Sequence, residues 1–254
     1  MPIKLSGFPG LWHSGQTSNA LLRLGMICTR EWTFSDLGTP IELHASHSWD
    51  DLRSLRPILM IGGVHGDEPL GVHLAKSTLQ YLQDEAGKAH SQVKVPWALI
   101  PVLNVDGFVR NTRVNGRGVD LNRNYPARSW RPEFEKDRYN PGPSPGSEKE
   151  IQAVVQFITQ AHPRLIIHYH SWKPMIVCAG ESGMKDAERL SRASGYQVVP
   201  EIGYPTPGSL SQFGWVDRQI PVICIEEDDD ALPQEVWPRF QNGMREIFLD
   251  ASPR

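Results

Sequence analysis

Cysteine is scarce in this sequence: Cys28, Cys178 and Cys224 are odd in number, widely spaced and never part of a CxxC pair. That pattern excludes a disulfide framework and a zinc knuckle, and it predicts three reduced thiols. Basic runs are missing too, and the formal net charge is -3, so nothing can track a phosphate backbone and no nucleic-acid partner is expected. No apolar run approaches the roughly 20 residues of a membrane span, which removes a membrane partner from the expectations. The opening residues, Met1 to Gly10, lack the charged, apolar and small-residue regions of a secretory leader, from which a cytoplasmic location is expected. Internal repeats, heptads and low-complexity blocks are absent, and nothing signals an oligomeric state. What remains is a chain of 254 residues, 39% hydrophobic and 22% charged. Those proportions belong to a folded globular protein, and residues 1–254 are read as one domain with a substantial core.

Short apolar runs organise the chain: Ile58 to Ile61, Ala98 to Leu103, Leu165 to Ile167 and Val222 to Ile225. Runs of this length between turn residues suit strands buried on both faces. Helical spacing lies between and after them, from Leu70 to Leu82 and through Val236, Phe240, Met244 and Ile247. Ser147 with Glu150 three residues on reads as a capping box, followed by Ile151, Val154, Val155 and Ile158 on one helical face. Strands alternating with helices predict an α/β fold, with a mixed, largely parallel twisted sheet and helices on both faces.

Each run leads directly to metal-competent or polar side chains. The first delivers His65 and Glu68, the second Asn104 and Asp106, the third His168 and His170, the fourth Glu226 and Glu227. In open α/β sheets the site lies beyond the carboxyl ends of the strands, so four strands are expected to feed one edge. Gly62-Gly-Val-His-Gly-Asp-Glu-Pro69 is a turn entering a helix, and an imidazole and a carboxylate with two residues between them on it can reach one ion. A third ligand from a distant strand, with His170 the candidate, completes a two-His, one-Glu site with a position open for water. The bland alternative makes His65 a core histidine and Glu68 an early-helix acid favoured by the dipole. His168 shares a strand face with His170, and Glu226 and Glu227 lie on opposite faces, so one of those two acids points into the site. Asp228 to Asp230 read as a solvated turn. His44 and His47 are a conceivable second metal pair, with amphipathic or surface placement the competing explanation.

His65-Gly-Asp-Glu68, Asn104-Val-Asp-Gly107, Thr112-Arg-Val-Asn115, Gly118-Val-Asp-Leu-Asn-Arg-Asn124, His170-Ser171 and Ile225-Glu226 together resemble the ordered motifs of the zinc carboxypeptidase family. The resemblance implies one zinc ion held by His65, Glu68 and His170, with Asp120 orienting a ligand histidine through its second ring nitrogen. It implies Arg113 as the group that polarises the scissile carbonyl, and Asn122 with Arg123 as the grip on the substrate's terminal carboxylate. It selects Glu226 over Glu227 as general base. It favours His170 over His168 through the His-Ser pair.

Within the family the compact stretch Thr112 to Pro126 and the run Tyr204 to Leu210 most resemble bacterial murein peptide amidases. These cleave the γ-D-glutamyl bond to meso-diaminopimelate in cell-wall recycling, which makes a small murein peptide the expected partner. Val105, where proline is common, and Gln212-Phe-Gly-Trp215 depart from that pattern near the expected pocket. Two rivals stand beside it. One is an N-acyl amino acid deacylase, disfavoured because the residues after Glu226 read as a single helix where such enzymes carry a β-rich region. The other is a pseudoenzyme that binds cell-wall peptides without cutting them.

Overall fold

The computed structural model describes residues 26–251, and the opening segment read for a leader lies outside them. Among these residues eight strands, β1 (Ile27–Phe34), β2 (Pro40–Ala45), β3 (Ile58–Ile61), β4 (Trp97–Ile100), β5 (Leu165–Trp172), β6 (Met175–Ala179), β7 (Val198–Val199) and β8 (Val222–Asp228), form one sheet. Their order is β1-β2-β4-β3-β5-β8-β6-β7. The centre, β4-β3-β5-β8, is parallel, while β1 and β2 form an antiparallel edge and β6 runs antiparallel to β8. The four apolar runs became the four parallel strands. The strands that sequence reading missed are the outer ones. In β1, ICTREWTF mixes charged and apolar residues and is half exposed, so it carries no continuous apolar run.

Among the described residues six α-helices cover the sheet: α1 (Trp49–Leu55), α2 (Pro69–Ala86), α3 (Val105–Arg110), α4 (Lys149–Ala161), α5 (Met184–Ser194) and α6 (Pro233–Leu249). Alternation along β3 splits the core. Ile58 and Met60 pack with Leu74 and Leu82 of α2 and Phe240 and Met244 of α6. Leu59 and Ile61 pack with Leu52 of α1 and Ile151, Val154 and Phe157 of α4. Each such side chain contributes about 1.5–3 kcal/mol by leaving water, which is why a short fully buried strand holds its register. No helix among the described residues is long and apolar enough to cross a membrane.

The expected capping box does not form. Helix α4 begins at Lys149, with Glu148 at the cap position and no side-chain cap bond. Ser147 is engaged elsewhere: its hydroxyl donates to Glu148 Oε1 at 2.6 Å and accepts from Asn124 Nδ2 at 2.9 Å. Glu150 is buried beside Asn115 instead of reaching back to the cap.

Two glycines bring the site elements together. A Cβ at Gly71, in the first turn of α2, would stand 2.6 Å from Tyr169 O and 3.2 Å from His170 Cα. Its absence lets α2 lie directly on the backbone of β5. A Cβ at Gly66 would stand 2.0 Å from the carbonyl carbon of Gly107, so the His65 turn presses against the start of α3 in the same way.

Candidate metal centre and substrate cavity

The turn after β3, the first turn of α2 and the end of β5 bring three side chains to one point. His65 Nδ1 lies 2.7 Å from Glu68 Oε1, His170 Nδ1 lies 2.7 Å from Glu68 Oε2, and the two ring nitrogens are 3.0 Å apart. The far side of each ring is also engaged. His65 Nε2 meets Asp120 Oδ1 at 3.1 Å, and His170 Nε2 meets His168 Nδ1 at 3.0 Å. An ionised Asp120 only accepts, so His65 Nε2 carries the hydrogen and, in the neutral ring that can bind a metal, Nδ1 presents a lone pair. That lone pair faces a carboxylate, an arrangement that calls for a cation between them. Two imidazoles and one carboxylate suit zinc, so the residues present fit the ion the motif implies.

The charges of the cluster respond accordingly. Burial raises the Glu68 carboxyl, but His65 and His170 outweigh it and hold Glu68 well below the usual carboxylate range. Asp120 is fully buried, yet Arg113 and His65 beside it also pull its carboxyl well down. On His65, burial and Arg113 push down while Glu68 and Asp120 push up, and the pair of acids wins. His168 is driven the other way, well below the histidine range, by burial and then by His170 and His65, so it stays neutral.

Arg113 binds this frame rather than floating free. Its Nε donates to Asp120 Oδ2 at 3.0 Å and its Nη1 to Glu68 Oε1 at 3.3 Å, which aims the guanidinium across the mouth of the cluster. Asp120 also caps the short turn Leu121–Arg123, accepting from Asn122 N at 2.9 Å, so one carboxylate orients His65, Arg113 and the Asn122-Arg123 pair together. Asn122 Oδ1 in turn accepts from Leu210 N at 3.0 Å, and Arg123 Nη1 donates to Asn122 O at 2.8 Å.

His65, Glu68, Arg113, Asn122, Arg123, His168 and His170 line a cavity of about 720 Å³ whose wall also includes Glu226. Register settles which acid enters it. Glu226 pairs with His170 across β5 and β8, and its carboxyl is raised by burial and by Glu68, against a lowering by His170. Glu227 points to the other face, where its Oε1 accepts from Tyr196 and Arg239. Asn104 and Asp106 do not reach the cavity, contrary to expectation. Asn104 caps α3, accepting from Gly107 N at 2.8 Å and donating to Arg113 O at 3.0 Å, while Asp106 accepts from Thr39 at 2.7 Å. Asn104 thereby holds the loop that carries Arg113.

Residues 38–210 match the zinc carboxypeptidase family. The chain belongs to that family. A curated relative, murein peptide amidase A of Escherichia coli strain K12, is 30% identical over 166 residues, which is 61% of this chain and 64% of that protein. The chain thus spans under two thirds of that relative's length in the alignment. Among solved zinc carboxypeptidase folds, the murein-tripeptide amidase of Escherichia coli O157 superposes with a TM-score of 0.71 at 24% identity, covering 91% of this chain and 94% of that one. Carboxypeptidase A from Helicoverpa armigera superposes at 0.72 with 17% identity, covering 91% and 70%. These likenesses establish the fold. The family match ends before Glu226, so that acid joins the site through strand pairing.

Sequence reasoning assigned no role to the aromatic wall of this zinc carboxypeptidase cavity. Tyr139 lies under three guanidiniums, with its ring centroid 5.3 Å from Arg113, 5.8 Å from Arg123 and 5.7 Å from Arg138. Tyr204 packs edge-on against Trp172 at 5.9 Å. Tyr139 sits just before the Asn140–Gly146 loop and carries no motif, so no signal in the sequence marks it. The departing segment Gln212–Val216 is a π-helical turn whose Trp215 lines the cavity and packs on Gly180, where a Cβ would meet the indole at 2.5 Å.

Proposed function

We propose that the protein is a zinc metallohydrolase cleaving the amide that joins a terminal, carboxylate-bearing residue to its peptide, with the γ-D-glutamyl bond to meso-diaminopimelate as its target. The reading is carried by the convergence of His65 Nδ1, Glu68 and His170 Nδ1 at 2.7–3.0 Å on the wall that also holds Glu226 and Arg113. His65, Glu68 and His170 would hold the ion. The chemistry zinc supplies in such a site is Lewis acidity, which makes water nucleophilic near neutral pH and polarises a carbonyl.

The chain's own residues do the rest. Glu226, raised by burial, takes the proton of the attacking water and returns it to the leaving amine, a task suited to a carboxyl poised above its ordinary value. Arg113, fixed by Asp120 and Glu68, faces the oxyanion that develops as the carbonyl is attacked. Asn122 and Arg123 grip the terminal carboxylate and so place the scissile bond one residue away. Acids on the cavity wall, Glu181, Glu201 and Asp229, suit a substrate whose terminal residue carries a second ammonium.

Mass spectrometry of products from L-Ala-γ-D-Glu-meso-diaminopimelate, an ordinary C-terminal L-peptide and an N-acyl amino acid, run side by side, tests this. Release of diaminopimelate from the first alone is the expected result. Cleavage of the acyl amino acid instead would move the protein to the deacylases, and binding without release would make it a pseudoenzyme. A chelator should abolish hydrolysis, and activity surviving metal removal would end the reading.

A further inference from the structure

A second group of ligand-type side chains sits on the antiparallel edge of the sheet, and none of its members lines the cavity. Cys28 of β1 and His44 of β2 are cross-strand partners, and Glu42 precedes His44 by two residues on the same strand face. One atom from each converges: Cys28 Sγ lies 3.8 Å from His44 Nε2, His44 Nε2 lies 3.3 Å from Glu42 Oε2, and Cys28 Sγ lies 4.0 Å from that same oxygen. Tetrahedral zinc, with bonds of about 2.3 Å to sulfur and about 2.0–2.2 Å to nitrogen and oxygen, spaces its ligand atoms roughly 3.3–3.7 Å apart. The observed triangle lies within a few tenths of an ångström of that spacing.

We propose that Cys28, Glu42 and His44 form a second divalent-metal site, of zinc class, clipping β1 to β2 apart from the catalytic centre. The donor set decides the ion. Thiolate, imidazole and carboxylate favour zinc over calcium or magnesium, which take oxygen ligands. Access decides the geometry, because Cys28 and His44 are buried while the Glu42 side chain is 47% exposed, leaving the remaining coordination position to water. Arg30 and Lys76 are the cations that act on Glu42 from neighbouring elements. Both side chains are exposed, so they moderate the site from its solvent side. Metal binding would displace the proton of the Cys28 thiol.

The sequence offers His44 and His47 only as a conceivable metal pair beside surface placement, and His47 Nδ1 meets Ser46 Oγ at 2.7 Å. Only the antiparallel register brings Cys28 to His44.

The test is metal analysis of the zinc-saturated, dialysed protein. Two zinc ions per chain are expected in the wild type and one in Cys28→Ser, with amide hydrolysis unchanged. In the cobalt-substituted protein a near-ultraviolet thiolate-to-cobalt band should be present, persist in Cys224→Ser and vanish in Cys28→Ser. If Cys28→Ser does not fold, Glu42→Gln, at a half-exposed position, serves in its place and should weaken binding at this site by at least about tenfold. An equal metal count in the wild type and the variant, or a thiolate band that survives loss of Cys28, overturns the proposal.

Discussion

Around the cavity, Glu68 and Asp120 are held below the usual carboxylate range, whereas at the start of α4 Glu148 and Glu150 are pushed above it, Glu150 to about 7. Burial pushes all four upward, so burial does not distinguish the regions. The partners do. Glu68 and Asp120 face imidazoles and the Arg113 guanidinium, while Glu148 and Glu150 face each other and Asp36. Asn115 Nδ2 donates to Glu148 Oε2 at 2.8 Å, but Glu150 Oε2 and Asp36 Oδ2 have no hydrogen-bond partner among the described residues. Asp36 does meet cations at the surface, Arg117 at 3.8 Å and Lys149 at 4.0 Å, both through its other oxygen. A buried acid thus becomes a fixed negative charge or a proton store according to what stands within reach of each oxygen. Glu226 combines both conditions, with Glu68 raising it and His170 lowering it, which suits a group that must give back the proton it takes.

Replacing Glu226 by Gln should sharpen the contrast most. Zinc content should persist while kcat falls by roughly 10² to 10⁴, and if Glu227→Gln does this instead, the base is the wrong one of the two. Glu227→Gln should act on stability, because it removes the buried negative charge that Arg239 pairs with and to which Tyr196 donates. A loss of about 3 kcal/mol in urea unfolding with turnover retained is expected. Asp120→Asn keeps the shape but removes the charge that orients His65 and Arg113, and chelator competition should read a zinc affinity lowered by about 10- to 100-fold. An unchanged affinity would mean that the ring needs no such partner.

The smallest effect tests the other region. The folded-state value of Glu150, about 7, lies above its ordinary 4.5, so the native protein holds a proton there that the unfolded chain releases. The stability this contributes is present at low pH and is lost as pH rises from about 4.5 to about 7, an effect on the order of 1–3 kcal/mol. Glu150→Gln should flatten that slope in urea midpoints compared at pH 5 and pH 8. If the wild type shows the slope and the variant keeps it, the acid responsible lies elsewhere, with Glu148 the next to replace.

Much of this was legible in advance for a physical reason. Strands buried on both faces must be apolar throughout, so β3, β4, β5 and β8 announce themselves, and the side chains at their ends follow by counting. Outer strands such as β1 face solvent in part and lose that signature. Ser147 looked like a cap because spacing cannot reveal that Asn124 and Glu148 claim its hydroxyl first. Asn104 and Asp106 looked like site residues because a strand end delivers whatever follows it, without saying which way the loop then turns.

By itself the sequence determined the parallel centre of the sheet, the order of the motifs along it and the set of residue types able to hold a zinc ion. Tertiary structure alone decided that Glu227 meets Tyr196 and Arg239, that Tyr139 lies beneath the guanidiniums, and that Cys28 meets His44. The reason is one of range. Periodicity and spacing govern neighbours along a strand or helix, whereas the partner of a buried polar atom is chosen by register between segments far apart in the chain, and only the folded sheet fixes that register.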